Sequence, residues 1–132
     1  MLKVHTALVC DDVRNEANGK QIIIGVYNSD MRMDNFPANV LLTFWLQVGP
    51  ITEDNAVIDF RCTLSGKVIT HGAVNFPVQS NHPKNGIAIG PFPIILEKPG
   101  TLRFEVKLPN SVKWIKAIDL PIISTPVPLS LP

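Results

Sequence analysis

The sequence predicts an all-β fold, a two-sheet antiparallel β-sandwich of about eight short strands, immunoglobulin-like or C2-like. Three observations carry this. The apolar residues are mostly β-branched or aromatic and alternate with period two. The 12 prolines and 8 glycines are spread along the 132 residues, which leaves helices almost nowhere to run. Turn signals recur about every ten residues, and a single open sheet of such strands would leave an apolar face wet.

Composition narrows the function. With 45% hydrophobic and 17% charged residues the chain is a globular domain and not a disordered one. At this size roughly two thirds of the unfolded surface is buried, enough for a core without disulfide or metal. Twelve Lys+Arg against 11 Asp+Glu give a formal charge of +1, which lacks the basic field of a nucleic-acid binder. Cys10 and Cys62 sit in separate apolar runs outside any ligand spacing, and read as buried free thiols. The start of the chain lacks a signal-like apolar stretch and no window reaches the ~18 apolar residues of a membrane span. A cytoplasmic location, without membrane contact, is the expectation.

Taken in order, Val4 to Val13 and Lys20 to Tyr27 flank an Asn18-Gly19 step that supplies positive φ, so they form a first hairpin. Met31 and Met33 mark a further short strand. In Val40 to Val48, the residues Val40, Leu42, Phe44, Leu46 and Val48 share one face, with Thr43 and Gln47 on the other. Ile58, Phe60, Cys62 and Leu64 repeat the pattern, and Ser65-Gly66 turns them into Lys67-Val68-Ile69-Thr70. Pro91 and Pro93 remove two ladder donors from Gly86 to Leu96, which makes that segment an edge strand or an extended crossover, the edge strand being the preferred reading. Leu102, Phe104, Val106 and Leu108 lead through Pro109-Asn110-Ser111 into a returning strand with Val112, Trp114, Ile118, Leu120 and Ile122. Trp114 shares the parity of Ile118 and Leu120 and reads as core. Residues 1–124 form the sandwich domain, and 125–132 an extended proline-rich tail.

Cys10-Asp11-Asp12-Val13-Arg14, followed by Gly19-Lys20 and Ile24-Gly25-Val26-Tyr27, resembles the opening of a family of small uncharacterised bacterial and phage β-sandwich proteins. Phe36-Pro37 and Pro99-Gly100-Thr101-Leu102-Arg103-Phe104 fit the same family pattern. The resemblance implies a β-sandwich and carries no activity, catalytic residue or ligand.

Two places invite a functional reading. Asp11, Asp12, Arg14 and Glu16 form the densest polar cluster. Adjacent strand residues point to opposite faces, so the two carboxylates are expected to serve the hairpin end through an Asp-Arg pair or an Asx turn. The competing reading is an oxygen-ligand metal site completed by a distant loop. His5, His71 and His82 lie on separate elements and read as surface or hydrogen-bonded residues. Trp45 and Leu41 fall on the face opposite Leu42, Phe44 and Leu46. Either they form an apolar interaction surface or a neighbouring loop or the tail covers the indole.

No nucleophile elbow, phosphate loop, dinucleotide fingerprint or zinc pair is present. The expectation is a non-enzymatic module acting by protein–protein interaction or as a homo-oligomer, with no catalytic residue, cofactor, metal, nucleic acid or membrane partner. The alternative is a metal-dependent hydrolase or ligand-binding enzyme using Asp11, Asp12 and a loop histidine.

Overall fold

A computed structural model of the chain describes residues 2–51, 55–77 and 84–125. Ten strands and no helix occur among them: β1 Lys3–Cys10, β2 Asp12–Asn15, β3 Gln21–Ile24, β4 Met31–Met33, β5 Ala38–Gly49, β6 Asn55–Leu64, β7 Lys67–Pro77, β8 Asn85–Leu96, β9 Gly100–Lys107 and β10 Ile115–Ser124. The all-β reading therefore stands, with more strands than expected. They form three sheets: three strands in the order β1-β5-β8, five in the order β4-β10-β9-β6-β7, and the small pair β2-β3. Ladders are antiparallel except β4 with β10, which is parallel. His82 and residues 126–132 of the expected tail lie outside the described residues, while Thr125 still donates its N–H to the Met33 carbonyl at 2.9 Å.

One cluster of buried residues takes side chains from both the three- and the five-stranded sheet. Leu42, Phe44, Leu46 and Val48 point into it from β5, as their period-two spacing requires. Ile58, Cys62 and Leu64 come from β6, and Leu102, Phe104 and Val106 from β9. The Phe44 and Phe104 rings, from different sheets, stack with centroids 4.0 Å apart. At the flanks β1 runs close to β10 and β7 close to β8.

Three local devices set the faces. The β6–β7 turn uses Ser65 at φ 49° and Gly66 at φ 88°, the pair of positive angles that a two-residue hairpin matching strand twist requires. In β8, Gly90 and Pro91 together oppose the single residue Thr43. This bulge moves the buried set from Ile87 and Ile89 to Ile94 and Leu96, and turns Ile95 out to 57% exposure. Among the described residues β8 pairs only with β5, so the proline-bearing segment is an edge strand, the preferred expectation. In β10, Ala117 is the extra residue between Lys116 and Ile118. Ile115 faces Val106, whereas beyond the bulge Ile118, Leu120 and Ile122 face inward. Trp114 shares parity with the second set but precedes the bulge, so it lies on the outer face. The core reading of Trp114 is thereby corrected.

The first hairpin also differs from its expected form. β1 pairs with β5, and only the short β2 and β3 form the hairpin, closed by Glu16 N–H to Lys20 O at 2.8 Å. The break falls at Asp11, whose N–H donates to the Ile24 and Gly25 carbonyls at 3.0 and 3.2 Å instead of continuing the β5 ladder.

Cys10 and Cys62 are free and buried. Burial pushes the Cys62 thiol up to about 12. Burial, then the neighbouring Asp11 and Asp12 charges, raise Cys10 as well. Since the thiolate is the reactive form, a disulfide-exchange reagent at about pH 8 is expected to leave both thiols unmodified in the folded protein and to titrate both in denaturant. Rapid modification of Cys62 without denaturant would contradict its placement.

Candidate functional site

The polar cluster is a structural joint. Asp11 and Asp12 diverge, as neighbours in an extended chain must. The Asp12 carboxylate accepts the Val13 N–H at 2.9 Å and lies 3.6 Å from the Arg14 guanidinium. Asp11 turns the other way, over Gly25, where an added Cβ would collide with its carboxylate, and its charge is near enough to act on the Tyr27 phenol. Tyr27 in turn donates its N–H to the Val9 carbonyl at 2.9 Å. Burial, then Asp11, hold the phenol above its ordinary value. The Cys-Asp-Asp and Gly-Val-Tyr segments of the opening thus meet each other, Gly25 supplying both a φ of 70° and the room for Asp11. Glu16 sits in the hairpin turn, accepting the Gly19 N–H through its carbonyl at 3.1 Å. Among the described residues no group of three or more His, Cys, Asp or Glu could hold a metal ion. His5 is exposed on β1 and His71 on β7, in different sheets.

The outer face of β5 divides in two. Thr43 is 1% exposed although its parity is outward, because the β1–β2 crossing lies on it: its hydroxyl donates to the Asp11 carbonyl at 3.2 Å. Trp45 is half-buried, its indole N–H donating to the Gln21 side-chain oxygen at 2.7 Å. The β2–β3 hairpin is therefore the neighbour that covers Trp45, and the tryptophan is not an open contact surface. Leu41 remains 62% exposed. It pairs with Pro93, and Ile95 lies diagonally across from it on the same face, so the three form one apolar ridge on β5 and β8. Pattern reading missed Ile95 because the Gly90 bulge reverses its parity. Around the β8 edge, Ile95 also lines a 440 Å³ depression with Leu64, Val68 and Ile69, flanked by Lys67 and Lys98.

The outer face of the five-stranded sheet has a different character. Cross-strand ion pairs cover it: Arg61 with Glu105 at 2.8 Å, Arg103 with Asp119 at 2.8 Å, and Lys107 with Asp59 at 3.3 Å. The Trp114 ring lies 4.4 Å from the Arg61 guanidinium and 5.3 Å from the Lys107 ammonium, cation–π contacts that hold it on the grid. The hydrogen bond from Arg103 holds the Asp119 carboxylate below its ordinary value. A carboxylate with a lowered folded value contributes stability above the ordinary range and loses it as pH falls through the lowered one. Asp119→Asn is expected to lower the urea midpoint slightly at neutral pH, the pair being partly solvated, and not at all once the wild-type carboxylate is protonated. An equal deficit at both pH values would place the effect elsewhere.

These features define an all-β domain with a charge-paired sheet face on one side and an apolar ridge on the other. The chain belongs to DUF6941, a family of unknown function, whose sequence profile matches residues 5–122. No curated protein and no solved structure matches it. No helix among the described residues is long and apolar enough to cross a membrane.

Proposed function

We propose that this chain is a non-enzymatic, cytoplasmic β-sandwich module, the three- and five-stranded sheets forming its layers in an immunoglobulin-like or C2-like manner, and that it acts by binding another protein. The observation that carries the reading is the ridge of Leu41, Pro93 and Ile95, with Leu41 62% and Ile95 57% exposed on adjoining strands. Singly exposed apolar residues are ordinary, whereas adjoining ones on a sheet face are costly to leave wet and mark contact surfaces. The cations of the opposite face are paired with carboxylates, which speaks against nucleic acid as the partner.

Affinity capture from native lysate tests the reading. Wild type is expected to retain a partner that the Leu41→Asp, Ile95→Asp double variant loses while keeping its far-UV circular dichroism. Identical captures would overturn it. Calorimetric titration with Ca²⁺, Mg²⁺, Mn²⁺ and Zn²⁺ is expected to be flat, because Asp11 and Asp12 face different partners. Micromolar binding abolished by Asp12→Ala would transfer the assignment to a metal-dependent hydrolase.

A further inference from the structure

Among the edge strands of the described sheets, β7 has the longest run free of proline and charge. β8 carries Pro91 and Pro93, β4 has three residues, and β1 is met at Val9 by the Tyr27 N–H. β7 has eleven residues, pairs only with β6 among the described residues while running close to β8, and its stretch Thr70 to Phe76 contains no proline and no Lys, Arg, Asp or Glu. A long edge of this kind presents a row of unpaired N–H and C=O groups to any strand that can meet it in register.

We propose that β7 is a self-association edge, pairing antiparallel with β7 of a second copy of this chain about a two-fold axis through Ala73. Register selects this arrangement. Ile69 is the extra residue of the β6–β7 ladder, because Cys62 faces Thr70 while Thr63 faces Val68. The side chains from Thr70 to Phe76 therefore keep one uninterrupted alternation, with Thr70, Gly72, Val74 and Phe76 half-buried and His71, Ala73 and Asn75 exposed. Ala73 is the midpoint of this stretch, and centring the two-fold there pairs every residue in it while matching inner face with inner face. Gly72 then faces Val74 and Thr70 faces Phe76, so small opposes large. On the outer face His71 of one copy faces Asn75 of the other, and the two Ala73 residues meet at the axis. No like charges oppose one another. A second copy fits better than an unrelated strand because its sequence supplies this complementarity itself.

The axis provides the test. Ala73 is exposed, so Ala73→Lys and Ala73→Glu should each fold, but each places two like charges opposite one another in the dimer. Sedimentation equilibrium of the full chain is expected to show a wild-type dimer and each variant weakened severalfold, as like charges directly opposite one another in a sheet imply. An equimolar mixture of the two variants is expected to regain the dimer, since lysine then faces glutamate. In wild type, amide exchange from Thr70 to Phe76 is expected to slow with rising protein concentration. A monomeric wild type, variants that associate as well as wild type, a mixture that stays monomeric, or exchange independent of concentration would each overturn the proposal. The inference goes beyond the ridge reading and fails separately from it, because the Leu41→Asp, Ile95→Asp variant changes no residue of the Thr70 to Phe76 stretch and Ala73 lies outside the ridge.

Discussion

Phe104→Ala is expected to cost about 3–5 kcal/mol of folding stability, a large part of the 5–15 kcal/mol that holds a domain of this size together. Phe104 is fully buried on β9 and stacks on Phe44 of β5, with centroids 4.0 Å apart and planes within 4°. Phe92 tilts against Phe44 at 5.8 Å, and Phe60 against Phe104 at 5.8 Å. The four rings come from four strands in two sheets. Removing one leaves a cavity that cannot collapse without moving a strand of a hydrogen-bonded ladder, so the transfer and cavity penalties both apply. Phe104→Leu keeps most of the volume and should cost markedly less. Urea denaturation reads both, and a loss below ~1 kcal/mol for the alanine variant would mean that the stack does not join the layers.

Gly90→Ala should cost about 3 kcal/mol, a large loss for the addition of one methyl group. The residue sits at φ 120°, and an added Cβ would lie 2.7 Å from the Leu42 carbonyl oxygen and 3.1 Å from the Thr43 Cα. Both obstacles are backbone held in the β5–β8 ladder, so neither can swing away as a side chain would. Gly19→Asn is the control. Its φ of 88° is one that asparagine tolerates and no atom lies within 4 Å of the added Cβ, so the change should fall within ~0.5 kcal/mol. Equal losses for the two variants would show that positive φ alone, and not the closeness of β5, sets the cost at Gly90.

The candidate sites were only partly legible. Divergence of Asp11 and Asp12 follows from strand geometry and could be argued from their adjacency alone. That the Asp11 carboxylate lies over Gly25 could not, because those residues meet only after the chain leaves the β5 ladder and doubles back through the β2–β3 hairpin. Trp45 was legible as outward-facing, and the alternative of a covering neighbour was open. Which neighbour covers it depends on where Gln21 comes to rest.

The sequence by itself determined what is local to a strand or a turn. Alternation assigned the inner faces of β5, β6 and β9, Ser65-Gly66 specified the β6–β7 turn, and Pro91 with Pro93 placed β8 at an edge because they cannot donate to a neighbour. Only the tertiary structure decided the outer side of Trp114, the exposure of Ile95 and the parallel placement of β4 beside β10. One extra residue in a ladder reverses the face of every residue on one side of it, and its position is set by the partner strand's hydrogen-bond register. A single strand's sequence carries its own period but not the register of its neighbours, so the core was readable from alternation and the surfaces were not.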